Sequence, residues 1–310
     1  MRWLDRVIVT AFLAATILLI SCSEETPPDD GKGRPPAFIA RWGCPGHDNG
    51  EFYNPYDVAV GPGGDIYVAD TNNYRVQHFS AGGGYLSNWA VPGEDWRPNS
   101  IAVGPDGVVY VSDWHKKRIL FFTGSGSLLG SWGSHGGGEG LFYGPEDVAV
   151  SANGVVYVLD RNGRVQCFDG IGNYRGEWGA WGESPGEFQW PSGISIGPGG
   201  NVYVTDTGNN RVQYFTSAGS YLGGWGRYGS GPGEFDEPIG VAVGSEGTVF
   251  VVDNGNRRVQ YFTSDGVFSG EFGSGGVRKG EFINPRGISI NARRVIYVAD
   301  TYCCWVSYFR

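Results

Sequence analysis

The chain has 310 residues, with 23 Lys and Arg against 32 Asp and Glu and a formal net charge of −9. That acidic balance argues against nucleic-acid binding, which needs clustered cations to displace phosphate counterions. Gly accounts for 54 residues, aromatics for 15% and Met for one, a composition suited to many short strands and tight turns.

The first element is a targeting segment. Arg2 and Arg6 precede an apolar run over residues 7–20, whose 14 residues are too few for a comfortable membrane span. The run ends in Leu19-Ile20-Ser21-Cys22, which resembles the lipobox of bacterial lipoproteins. The resemblance implies cleavage before Cys22 and lipidation of its thiol, and Ser23 in place of Asp implies outer-membrane sorting where a cell has two membranes. An ordinary secretory signal or an uncleaved anchor is the alternative. We therefore expect a signal peptide over residues 1–21, a lipidated Cys22 with a flexible linker over 22–37, and one domain over 38–310. The linker, SEETPPDDGKGRPP, offers nothing to a core. Loss of Arg2, Arg6 and Asp5 with the leader leaves 21 basic and 31 acidic residues, on a chain expected at the cell envelope, extracytoplasmic and lipid-anchored.

Three landmarks then repeat. A proline opens each copy (Pro55, Pro98, Pro145, Pro191, Pro238, Pro285), and an aspartate follows 15 residues later every time (Asp70, Asp113, Asp160, Asp206, Asp253, Asp300). An aromatic closes five of them: Trp89, Trp132, Trp178, Trp225 and Phe272. The common period is 47 residues, in six copies. Residues 191–225, PSGISIGPGGNVYVTDTGNNRVQYFTSAGSYLGGW, show the pattern most regularly. A run of small and β-branched residues, an alternating strand, a polar loop, a third strand and a last aromatic-ended strand make four strands per copy, the blade of a β-propeller.

The sequence P-x-[DG]-[IV]-[AS]-[VI]…[IV]-Y-V-x-D-x-x-N-x-R-[VI]-Q-x-F resembles the NHL repeat, which implies an all-β, six-bladed β-propeller of four-stranded blades. The same resemblance implies framework roles for Asp70 and Arg75, Asp113 and Arg118, Asp160 and Arg164, Asp206 and Arg211, and Asp253 and Arg258. The sixth copy ends one strand short at Arg310, while residues 38–42, FIARW, match Tyr221–Trp225 in type and order. The N-terminal strand should complete the last blade and remove the open edges.

Length variation is confined to one face. Closing aromatic and next proline are 13 residues apart in five connections but nine between Trp89 and Pro98, and the Asp-to-Arg spacing of five falls to four at Asp160–Arg164. These loops share the top of a propeller, where binding surfaces form, although drift in loop length gives the same pattern. The residues after each proline should ring the mouth of the channel: Tyr56, Asp57, Asn99, Glu146, Asp147, Ser192 and Arg286. This ring suits a small molecule, peptide or glycan, or a hard cation through Asp57, Glu146 and Asp147. A water-filled mouth is the plainer alternative.

Cys44, Cys303 and Cys304 should meet at the closing seam. A disulfide from Cys44 to either partner, a bond within the adjacent pair, or a zinc site using Cys44 and His47 are the open possibilities. Cys167 reads as a packing residue. His47, His115 and His135 fall on top loops, and no G-x-S-x-G, Walker, H-E-x-x-H or EF-hand motif is present. The expected function is a monomeric binding module engaging a protein, peptide or glycan, with no catalytic residues assigned and no cofactor beyond a possible Ca²⁺ or Zn²⁺. A metal-dependent lactonase or lyase at the channel mouth is the alternative.

Overall fold

A computed structural model describes residues 35–310. Six four-stranded antiparallel sheets follow one another along the chain. Five are built from consecutive strands, beginning with Pro55–Val60, Ile66–Asp70, Arg75–Phe79 and Tyr85–Trp89. The sixth takes Pro285–Ile290, Ile296–Asp300 and Trp305–Phe309 from the C-terminus and Phe38–Trp42 as its outer strand. Its register pairs Phe38 with Phe309 and Trp42 with Val306. The expected six-bladed, all-β propeller and its closure by the N-terminal strand are both present.

The alternation of small and bulky residues explains the layering. Every second strand is buried along its whole length, as at Val202–Asp206, because both faces of a blade pack on neighbours. The core is therefore distributed over the seams. One cluster joins Val76 and Trp89 of the first blade to Ile101, Leu120 and Phe122 of the second, and another joins Phe79 to Tyr297 and Val306 across the closure. Each closing tryptophan lies under a glycine turn of the next blade. At Gly126 (φ +92°) an added Cβ would stand 2.6 Å from Trp89, so that turn needs glycine for both its backbone and its clearance.

The connections contribute a further buried ring. Phe52, Phe142, Phe188, Phe235 and Phe282 are fully buried, each against the phenylalanine ending the following blade's third strand, as with Phe142 and Phe168 at 5.9 Å. In the short connection Trp96 takes this place, 5.8 Å from Phe122, with its indole N–H donating to the Tyr74 carbonyl at 2.6 Å. A larger ring fills the space that four missing residues vacate.

The five Asp–Arg pairs are all formed, at 2.8, 3.2, 3.5, 2.7 and 2.7 Å in chain order. Asp206 is fully buried and accepts from the Gln189 amide, Asn209, Arg211 and Gln213. Arg211 reaches on to the carbonyls of Ser184 and Glu187, so the pair fastens the incoming connection to the blade. In the sixth blade Trp305 stands where this arginine would be. Arg41 from the N-terminal strand lies 3.7 Å over the Trp305 ring and donates to the Val277 carbonyl at 3.0 Å. The closing strand thus supplies a cation that holds the incoming connection's carbonyls, while Asp300 accepts from the Ile283, Asn284 and Cys303 amides.

Two outcomes follow from this arrangement. Deleting residues 38–42 should lower the melting temperature and break the single cooperative transition, read by calorimetry; an unchanged endotherm would disprove the closure's role. Asp206→Ala strands the Arg211 guanidinium and the Gln189 amide and should cost about 3 kcal/mol in urea unfolding.

Candidate functional site

The channel mouth is built by the inner strands, whose opening prolines fix where each chain turns inward. Tyr56, Asp57, Asn99, Glu146, Asp147, Ser192 and Arg286 all line one small cavity there, together with Ser100, Ile239, Gly240 and Gly287. Below it the channel holds a cavity of about 190 Å³ bounded by the inner strands, with a mostly polar accessible surface; Val58, Val148, Ile194, Val241 and Ile288 of those strands belong to the core seams between blades.

The two residues behind each proline have different jobs. In the first three blades the second residue is Asp57, Ser100 or Asp147, and each reaches sideways to the next inner strand. Asp57 accepts from the Ile101 amide at 2.9 Å and from Val58 at 2.8 Å. Ser100 accepts from the Val148 amide at 3.2 Å and donates to Asp147. Asp147 accepts from Ile194 at 2.6 Å and Val148 at 2.8 Å. In the last three blades the equivalent residue is Gly193, Gly240 or Gly287, and backbone from the neighbouring blade, joined at Gly287 by the Asp57 carboxylate, occupies the space a side chain would take. Three polar stitches hold one half of the ring and three close backbone approaches hold the other.

These stitches account for both Asp carboxylates. Burial, together with the charge of Asp147, pushes the Asp57 pKa up to about 8, and burial pushes Asp147 to about 6. Among the described residues no three His, Cys, Asp or Glu side chains are placed to share a metal ion, the Asp57, Glu146 and Asp147 set included.

The first residue behind each proline is less committed. Glu146 Oε2 and Arg286 Nε are buried without a hydrogen-bond partner. The Arg286 guanidinium lies 4.7 Å from the centre of the Tyr56 ring, and the Asn99 amide donates to the Glu146 carbonyl at 2.7 Å. Burial raises the Glu146 pKa, opposed by Arg161, Arg286 and Lys117. Lys117 itself sits 3.5 Å over the Trp114 ring. Arg161 and Lys117 come from loops after the framework aspartates, and proline spacing alone gives no sign of them.

The cysteines behave differently from expectation. Cys44, Cys167, Cys303 and Cys304 are all free thiols, so the expected Cys44 disulfide to Cys303 or Cys304 is not formed, nor is a bond within the adjacent pair. The segments do converge, since a Cβ on Gly43 would lie 2.9 Å from the Cys304 carbonyl. The two thiols are engaged differently: Cys44 is exposed beside Glu51, while Cys304 is buried and donates to the Thr301 carbonyl at 3.6 Å. Burial and the nearby Asp300 carboxylate push Cys303 up to about 12, far from a reactive thiolate. Cys22 lies outside the described residues.

Aromatic side chains distinguish the two faces. The exposed tryptophans Trp114, Trp181 and Trp190 are all on top loops, as are exposed Tyr53, Tyr143 and Tyr302. On the opposite turns the exposed large apolar residues are Ile171 and Val267, neither aromatic, and one exposed aromatic, Tyr221, starts an outer strand directly after such a turn. Trp181 and Trp190 meet edge to face at 5.2 Å. Trp190 holds φ +44°, where the corresponding residues of other blades are Asn54 and Glu237, an unfavourable backbone for so bulky a side chain.

Four segments, residues 52–79, 142–168, 188–215 and 235–262, match the model of the NHL repeat. Together with the six blades they support the NHL-repeat family. The unmatched blades are the one with the short connection and the one lacking its own framework arginine. No match was found among curated proteins. Solved structures do match. Virginiamycin B lyase from Staphylococcus aureus is 15% identical with a TM-score of 0.59, over 81% of this chain and 78% of that one. A streptogramin B lyase is 13% identical with a TM-score of 0.64, over 89% and 98%. A Bacteroides thetaiotaomicron protein of unknown function is 17% identical with a TM-score of 0.64, over 87% and 76%. Such identities carry the fold alone.

The raised carboxyls give a pH dependence with a definite sign. Folded Asp57 holds its proton up to about pH 8, whereas the ordinary value is 3.8. Between those limits the folded state binds more protons than the unfolded chain, so this contribution is full below about pH 4 and is lost as pH rises through 8. Asp147 adds to the decline up to about pH 6. Melting temperature should fall from pH 4.5 to 8.5, and Asp57→Asn should flatten the upper part of that fall; an unchanged slope in the variant would remove Asp57 as its source.

Proposed function

We propose that this chain is a lipid-anchored, extracytoplasmic binding module that engages a protein, peptide or glycan through the top face of its propeller. The observation that carries the reading is the concentration of exposed aromatics, all three exposed tryptophans included, on that face. Aromatic side chains supply large contact area at low entropic cost, and they are enriched where proteins meet partners. The Trp181–Trp190 pair stands at the centre of this argument because the fold tolerates Trp190 at an unfavourable φ. Anchoring rests on the Leu19–Cys22 sequence. The partner is a macromolecule able to lie across several blades.

Lyase-like chemistry at the mouth is the second reading, favoured by the shared fold of the two lyases. One solved form of the S. aureus enzyme is a catalytically inactive histidine-to-alanine variant with quinupristin. No histidine lines the mouth cavity here, which favours the binding module.

Peptide and glycan arrays probed with the folded propeller test the first reading. Binding should fall about tenfold or more in the Trp181→Ala/Trp190→Ala double variant, the loss expected of two aromatic anchors, and persist in Ile171→Ala on the opposite face. Blank arrays, or equal loss in both variants, would defeat it. Palmitate labelling in a bacterial host should mark the wild type and not Cys22→Ser; label on the variant would refute the anchor.

A further inference from the structure

The first blade departs from the repeat at three positions that touch one another. Asp65, just before the second strand, stands where the other five blades carry Val, Asn or Thr. His78 in the third strand replaces Phe, Cys or Tyr, and Ser87 in the outer strand replaces Gly or Ala. Strand register brings them together, since His78 is paired with Tyr67 on one side and with Ser87 on the other. Elsewhere the aromatic ring forces its partner to be small: a Cβ on Gly130 would stand 2.8 Å from Phe121, and one on Gly223 would stand 2.7 Å from Tyr214. The imidazole of His78 admits the Ser87 side chain instead. Five blades fold without any of the three residues.

Their contacts are polar and directional. His78 Nε2 lies 3.2 Å from Asp65 Oδ2, and Nδ1 lies 3.4 Å from Ser87 Oγ. The Tyr67 ring stacks on the imidazole with centroids 4.5 Å apart and planes within 1°, which fixes the plane of the imidazole. A carboxylate only accepts, so Nε2 carries the proton and Nδ1 turns a lone pair to the Ser87 hydroxyl. A polar substitute for one aromatic ring would need a single partner. Here both nitrogens are engaged, one by an acid and the other by a hydroxyl. The His78 side chain is 13% exposed and Asp65 47%, while Ser87 is half-buried on the outermost strand of its sheet, where a solute can reach it.

We infer that Ser87 is a nucleophile activated by His78, with Asp65 orienting the imidazole, and that it accepts acyl groups from small carboxylic esters. An open strand edge suits a short acyl group better than a long one that needs an enclosing pocket. In the first step Ser87 Oγ adds to the ester carbonyl carbon while its proton passes to His78 Nδ1. The adduct collapses as the carbon–oxygen bond to the alcohol breaks, and the same proton goes to the departing alcohol oxygen. Water then adds to the acyl carbon, losing a proton to Nδ1. The Ser87 oxygen leaves, takes that proton back, and the carboxylic acid departs. The site is on the outer edge of one blade and does not depend on the macromolecular partner proposed above.

A biotin-tagged fluorophosphonate, which phosphonylates activated serines, tests the inference on the folded propeller, with 4-nitrophenyl acetate as the ester. Intact mass and peptide mapping should place one tag on Ser87, and acetate turnover should exceed that of Ser87→Gly. Ser87→Gly and His78→Phe install residues that other blades carry at these positions, so both should fold, as melting temperature will show. His78→Phe should slow tagging and turnover about a hundredfold, the low end for loss of a general base. Asp65→Asn should cost about tenfold in kcat with KM unchanged, as expected of a half-exposed positioning residue. No tag at millimolar probe, or a tag on another residue, would overturn the inference. Tagging of Ser87 at the same rate in His78→Phe would show an ordinary exposed hydroxyl and would overturn it as well.

Discussion

A carboxylate taken out of water costs several kcal/mol unless its lone pairs are filled, and each blade carries one at the same place. The six framework aspartates are fully buried. Asp70 accepts from the Tyr53 amide, which belongs to the incoming connection, and from Asn73, Arg75 and Gln77, which belong to its own blade. One side chain thereby fixes the angle between a connection, a loop and a strand. Because the opening proline follows that connection by two residues, the same contact sets where the inner strand enters the channel. The mouth inherits its geometry from a hub that is remote from any ligand.

Legibility in the sequence follows from how local each cause is. The propeller was readable because proline, aspartate and closing aromatic recur at fixed spacing, and the closure was readable because residues 38–42 match an outer strand. The role of Arg41 was hidden, since it depends on the register that sets Arg41 beside Ser307 and its side chain over Trp305. Trp96 was hidden for a similar reason: a deletion looks like a loss until the larger ring is seen filling the space. Asp57 and Asp147 were recognisable as mouth residues. Their service to the amides of neighbouring blades was not, because nothing in one copy shows what the next copy leaves unsatisfied. The cysteines illustrate the converse. Convergence at the seam was legible, but the burial and partners of each thiol depend on side-chain geometry that spacing does not encode.

The ring separates its tasks radially. The inner layer is divided between polar stitches and close backbone contacts, so its Asp residues are engaged in holding blades together. The uncommitted groups are Glu146 and Arg286, one step closer to the rim. Further out, the connections carry buried phenylalanines inward and exposed aromatics outward, so the segment that closes a core seam also decorates the top face. Variation there changes the surface without touching the framework hub, as the Trp181–Trp190 pair shows.

Pairing Phe38 with Phe309 also imposes an order on biogenesis. A strand that emerges early must wait for a partner far along the chain, and closing so long a loop costs about 5 kcal/mol in chain entropy. As the chain emerges from its N-terminal end five blades can stack in turn, while residues 38–42 remain an unpaired strand until residues 305–309 follow. Charged Arg41 on that waiting strand discourages premature pairing with other chains. The latch is therefore also a completeness check: a truncated chain lacks residues 305–309 and has nothing for the first strand to pair with.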